Sequence, residues 1–182
     1  DSGPAGTTVY DQFGQHGTIS GTADWADGGF KFYSTNYIDL GEHFLDIIDY
    51  SFSVSAWVKN TNMICLETLD CRAGIVNKRY SSQSGWRLEY NSDGEICVNG
   101  VPDTHDGITY GTVCSDEHKV DDQWHHVLGI WEITNTNYWK VKLYVDGKFE
   151  GESGEFGAPG SRFANTINTM FGFDPTGENY KL

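Results

Sequence analysis

The sequence predicts an all-β protein built as a two-sheet antiparallel β-sandwich, and three observations predict it. Twenty-two glycines stand against two methionines in 182 residues; ten Tyr, ten Phe and six Trp make the chain 14% aromatic. Several segments alternate apolar and polar residues with a period of two, and helical periodicity is nearly absent. Aromatic and β-branched runs separated by glycine turns describe short strands rather than long helices.

In chain order, Glu42 to Tyr50, with Phe44, Ile47 and Ile48 at helical offsets, is the one segment that could wind into a turn or two of helix. From Phe52 to Val58 the apolar Phe52, Val54, Ala56 and Val58 alternate with Ser51, Ser53, Ser55 and Trp57, which is a strand with one face on a core. Ile75 and Val76 lead into Asn77-Lys78-Arg79-Tyr80. Trp86, Leu88 and Tyr90 then alternate with Arg87 and Glu89, so Arg87 is expected to face out of the core. Asn91-Ser92-Asp93-Gly94 turns this strand into Ile96 and Val98, the Asp-Gly pair accepting positive φ readily. Gln123 to Trp131 is a further strand. Val141, Leu143 and Val145 alternate with Lys140, Lys142 and Tyr144, and Asp146-Gly147 turns them into Lys148-Phe149-Glu150. Gly151 to Gly160 is a loop rich in glycine and acid.

Twelve Lys and Arg against 26 Asp and Glu leave a formal charge of −14, which repels nucleic acid and anionic headgroups alike. No run approaches the ~20 apolar residues needed to span a bilayer, so membrane insertion is not expected. One domain over residues 1–182 is the default, since a chain this long buries roughly 70% of its unfolded surface around one core. No initiator methionine opens the sequence, which is expected to be an excerpt of a larger polypeptide. Cys65, Cys71, Cys97 and Cys114 allow three pairings, and none of the spacings is a Cys-x-x-Cys. Two disulfides, Cys65 with Cys71 and Cys97 with Cys114, each bracket a polar, turn-rich loop whose wandering a crosslink limits; the alternative is four buried thiols in a reduced cytosolic protein. Acidic charge, aromatics and an even cysteine count point to an extracellular protein, secreted or surface-attached.

Five segments, in order, resemble one superfamily: the laminin-G-like or concanavalin-A-like lectin and glucanase jelly roll, in its bacterial laminin-G-like form. They are Gly6 to Ile19 with its Asp-led glycine turn, Gly28 to Phe32 followed by Asn36 to Gly41, Phe52 to Val58 ending in Ala56-Trp57-Val58, Gly74 to Lys78, and Gln123 to Val127 taken with Leu143 to Gly147. The resemblance implies a jelly roll lacking its first and last strands, because the family adds one strand before the segment matching Asp1 to Gly6 and one after Leu182. Their joint absence would open a gap in one sheet, to be filled by the rest of the polypeptide or by a neighbouring subunit through strand addition. The Cys65–Cys71 insert departs from the family's short loop.

Glucanases of this fold set two carboxylates at alternate positions of one strand, as nucleophile and acid. No Glu-x-Asp-x-Glu occurs, and Glu67 with Asp70 or Asp46 with Asp49 stand at spacing three. His125 and His126 fall in a strand that the resemblance makes structural. Catalysis is not expected. Calcium is the expected cofactor: it takes six to eight oxygens, which an acidic rim supplies, and the resemblance places Asp11 at its site, with Asp174 a second ligand. Asn91, Asp93 and Glu95 imitate the start of a calcium loop but fall on a hairpin tip, where a turn role is expected. Glycans are bound by aromatic faces and planar polar groups. Lys78, Arg79, Tyr80 and Arg87 offer that mix on neighbouring strands, and Tyr138 and Trp139 offer an exposed pair at a loop. The expected function is a non-catalytic carbohydrate- or glycoprotein-binding adhesion module. The alternative is a structural jelly-roll subunit or domain of an extracellular filament, sheath or virion.

Overall fold

The computed structural model describes residues 7–10, 12, 14, 16–22, 24–26, 28–32, 36–41, 50–61, 72–79, 84–102, 110–158, 161–163 and 167–172. Every regular element among them is a strand: β1 (Thr8–Val9), β2 (Gly17–Ser20), β3 (Trp25–Ala26), β4 (Gly29–Phe30), β5 (Tyr37–Asp39), β6 (Phe52–Lys59), β7 (Ala73–Arg79), β8 (Gly85–Tyr90), β9 (Ile96–Val101), β10 (Gly111–Cys114), β11 (Trp124–Ile133), β12 (Trp139–Val145), β13 (Lys148–Glu152) and β14 (Met170–Phe171). The eight-stranded sheet runs β1-β2-β5-β14-β7-β8-β9-β10, the four-stranded sheet β13-β12-β11-β6, and β3 pairs with β4 alone. The helical turn expected over 42–50 lies, but for Tyr50, outside the described residues. In the eight-stranded sheet β14 pairs with both β5 and β7, so no gap separates those two strands.

Alternation dictates the layering. Trp86, Leu88, Tyr90, Ile96 and Val98 of the larger sheet meet Val127, Trp131, Val141, Leu143 and Val145 of the smaller in one buried core. Both predicted hairpins form. At Asp146-Gly147 both residues take positive φ, 53° and 78°, the two-residue turn whose twist matches the strands. At the other tip only Gly94 does, at 73°. There five residues, 91–95, join the strands, and the Asn91 side-chain oxygen accepts from the backbone of Asp93 at 3.0 Å and of Glu95 at 2.9 Å. The expected Cys97–Cys114 disulfide is present and joins directly opposed residues of β9 and β10. Cys65 and Cys71 lie outside the described residues.

Candidate functional site

The polar residues predicted to meet a ligand on β7 and β8 fall on both faces of the larger sheet. Cross-strand partners share a face, and Lys78 opposes Trp86 whereas Asn77 opposes Arg87. Lys78 therefore lies on the core side, fully buried, its Nζ donating to the Ile167 carbonyl at 3.1 Å. Arg87 points out of the core as expected, yet it too is buried, at 8% exposure. Arg79 is half-buried, and Tyr80 is outside the described residues. Lys78 and Arg87, expected as ligand contacts, are thus both buried: β7, β8 and β9 are covered on both faces, and a two-residue period reveals which way a side chain points but not what covers it.

Arg87 serves a carboxylate instead. Glu89, 1% exposed, meets Arg87 Nε at 3.0 Å and Arg72 Nη1 at 3.0 Å, and accepts from Asn99 Nδ2 at 2.8 Å. Thr112 Oγ1 in turn donates to Asn99 Oδ1 at 2.6 Å. A row of opposed residues, Asn77, Arg87, Asn99 and Thr112, thus crosses β7 to β10. One oxygen of this buried carboxylate accepts from Arg72 and Asn99, and the other lies within ion-pair distance of Arg87. Of the carboxylates weighed in the sequence, Asp46, Asp49, Glu67 and Asp70 lie outside the described residues.

A second charged node sits where β11 meets the β12–β13 turn. His125, 6% exposed, holds Asp146 Oδ2 at 2.7 Å through Nδ1 and Asp121 Oδ1 at 3.0 Å through Nε2. The other Asp146 oxygen accepts from the backbone of His126 at 2.9 Å, which locks the turn to the strand. His125 thus ties the start of β11 to the β12–β13 turn. Burial alone would lower the imidazole pKa, but the hydrogen bonds and charges of Asp146 and Asp121 outweigh it and raise the pKa above 6.5. The hydrogen bond to His125 lowers Asp121; burial would raise Asp146, but its bonds to His125 and His126 prevail and lower it. The raised histidine contributes stability that is full below its unfolded pKa and is lost as pH climbs through its folded value, whereas the aspartates lose theirs only in acid. Urea unfolding should therefore show a lower midpoint at about pH 9 than at about pH 5.5, and His125→Gln should remove most of that difference.

The expected exposed pair Tyr138–Trp139 is half corrected. Tyr138 closes the turn begun by Thr134, whose backbone donates to its carbonyl at 2.8 Å, and it is half-buried. Trp139 is core, 1% exposed, packed on Phe163 at 4.4 Å and donating Nε1 to the Ser161 carbonyl at 2.8 Å. It opens β12 in phase with Val141, Leu143 and Val145, so the apolar register begins one residue after the polar run.

Exposed aromatics lie elsewhere, among them Tyr10, Tyr50, Tyr110 and Trp124, and two more, Trp57 and Phe149, stand on the outer face of the four-stranded sheet. Trp57 is 66% and Phe149 49% exposed. Trp57 opposes His126, and the next row sets Ser55, Leu128, Tyr144 and Phe149 side by side across all four strands. The rings of Trp57 and His126 lie 5.3 Å apart and those of Tyr144 and Phe149 5.2 Å apart, while Ser55 Oγ reaches His126 Nε2 at 2.8 Å. The sequence carried the signal: Trp57 and Tyr144 stand in the polar phase of amphipathic strands, where a large aromatic has no core to enter.

The expected metal ligands Asp11 and Asp174 lie outside the described residues. Among the described residues, Glu95, Cys97 and Cys114 are close enough to share an ion, but both sulfurs are tied in the disulfide, a set that does not suit a hard cation. Asn91 and Glu95 bond each other within the hairpin at 2.8 Å, in keeping with the turn role.

Compared with known proteins, the chain matches a family model, laminin G type 3, described as the concanavalin A-like lectin/glucanases superfamily, over residues 32–181. No curated protein sequence matches it. Among solved structures it is similar to domains LG4-5 of the mouse laminin alpha1 chain, with a TM-score of 0.53 and 12% identity; the match covers 90% of this chain and 35% of that one. That likeness concerns the fold alone. With the family model spanning most of its length over two packed antiparallel sheets, this chain belongs to the laminin-G-like branch of the concanavalin A-like lectin/glucanases superfamily.

Proposed function

We propose that this chain is a non-catalytic extracellular module that binds carbohydrate or glycoprotein in adhesion. One observation carries the reading. At alternate outward positions of β8 stand a base and an acid, Arg87 and Glu89, joined at 3.0 Å, and not the two free acids that a glucanase of this fold sets on one strand. A buried carboxylate paired with two guanidinium groups is not free to attack an anomeric carbon. The Cys97–Cys114 disulfide supports an oxidising location. Calcium belongs to the proposal through Asp11 and Asp174, and Arg79 and Tyr138, both half-buried, stay within it as ligand contacts. A glycan array probed with and without a chelator tests it: signal that falls on chelation is expected, and silence on every glycan in both conditions removes the lectin reading.

A structural subunit remains the second reading, favoured by one observation. Among the described residues β6 pairs with β11 alone, and its inward Phe52, Val54, Ala56 and Val58 are only partly buried. Such an edge suits an added strand. An isolated chain that sediments as a stable, complete monomer counts against it.

A further inference from the structure

We infer that the outer face of the four-stranded sheet is the platform on which this module binds its glycan, and that the glycan is a neutral saccharide chain; the inference rests on the binding-module reading above and names its site. Trp57 and Phe149 are exposed at 66% and 49%, on a face that also carries Leu128, Ile130 and Tyr144 among its serines and lysines. An indole that is exposed but braced by a neighbouring ring, as Trp57 is by His126, loses little freedom when a ligand covers it. Its flat apolar face matches the C–H face of a pyranose, and the His126 and Ser55 side chains, already bonded to each other, lie beside it with polar atoms suited to sugar hydroxyls.

Two further arguments choose the occupant. Charge excludes a polyanion. The lysines around this face are each paired with a carboxylate: Lys59 with Asp122 at 2.8 Å, Lys140 with Glu152 at 3.2 Å, Lys142 with Glu132 at 2.6 Å and Lys148 with Asp116 at 3.3 Å. No surplus of positive charge is left to attract a sulfated or uronic-acid chain to a molecule of charge −14. Size favours a sugar over a protein at the aromatic patch itself. Three strand spacings from β6 to β13 make about 14 Å, and the four residue steps from Ser53 to Trp57 make about 13 Å, a footprint of roughly 200 Å². A stable protein interface needs about 800 Å² on each partner, whereas a few sugar rings laid across the strands fit the smaller area.

The test compares the wild-type chain with Trp57→Ala, Tyr144→Ala and Trp57→Phe, and with Tyr110→Ala as an exposed aromatic just ahead of β10, 68% exposed. Each is titrated against neutral gluco-, xylo- and mannohexaoses and against sulfated and uronic-acid hexasaccharides, with calcium and with chelator, and thermal melts report folding. Wild-type binding to a neutral hexasaccharide is expected, weakened about tenfold or more by Trp57→Ala and Tyr144→Ala, partly kept by Trp57→Phe and unchanged by Tyr110→Ala, with melting temperatures intact. Wild-type affinity left unchanged by both alanine variants overturns the platform while the module reading stands. Binding only to anionic chains, collapsing with salt, overturns the neutral ligand. Self-association that Trp57→Ala abolishes makes the face an interface between copies and overturns the proposal as well. A wild-type chain silent on every sugar removes both this inference and the reading beneath it.

Discussion

Replacing Glu89 with alanine is expected to destabilise the fold by about 3–5 kcal/mol, far more than a surface charge removal, and urea unfolding at neutral pH measures it. Removing one partner of a buried ion pair leaves the other charge without compensation. Here the stranded partner is Arg87, whose side chain is 9% exposed, while Arg72 at 27% retains access to water. Asn99 also loses its acceptor on Glu89, so the polar row across β8, β9 and β10 comes apart in the same step. Arg72→Ala should therefore cost only about 1 kcal/mol or less. The double replacement Arg87→Leu with Glu89→Leu should be milder than Glu89→Ala alone, since a buried pair exchanged for apolar residues of similar volume is often neutral. A Glu89→Ala cost under about 1 kcal/mol would show that water reaches this cluster and that the locked-carboxylate account is wrong.

Legibility in the sequence followed the physics that each signal reports. A period of two is written in the chain itself, so β6, β8, β11 and β12 and their inward residues could be read directly. Asp146-Gly147 likewise announced its turn. Covering is not local: that Arg87 and Lys78 are buried depends on what lies over both faces of β7 and β8, and no pattern within those strands encodes it. Asp121 was missed for the same reason, because it joins His125 from the segment leading into β11 and has no motif of its own. Trp139 was misplaced through the polar run before it, which hides the start of an apolar register. For the outer face of the four-stranded sheet the clue was present in one residue. Trp57 in the outward phase of β6 breaks the serine pattern, and its significance emerges only when pairing sets His126, Tyr144 and Phe149 on the same surface.

The core holds the other large effect: Trp131→Ala is expected to cost about 3–5 kcal/mol, a large part of the 5–15 kcal/mol by which a domain is ordinarily stable. Trp131 is fully buried, stacked on Phe52 at 4.7 Å with 3° between the rings, and edge-on to Trp86 at 5.1 Å. Its Nε1 donates to the Asn99 carbonyl at 3.0 Å, so a side chain of the four-stranded sheet is bonded to the backbone of the eight-stranded one. Truncation therefore opens a cavity between the layers and leaves a buried carbonyl without that donor, two costs that fall on one site. Trp131→Phe retains most of the stacking and should cost about 1–3 kcal/mol, the difference between the variants measuring how far the cavity outweighs the bond. Because Asn99 also holds Glu89, coupling between the two sites is expected: a Trp131→Phe, Glu89→Ala double variant should depart from the sum of the single effects by more than about 0.5 kcal/mol. Strict additivity would mean that the two layers are joined by packing alone, and that the outer-face charges of the larger sheet do not sense the core beneath them.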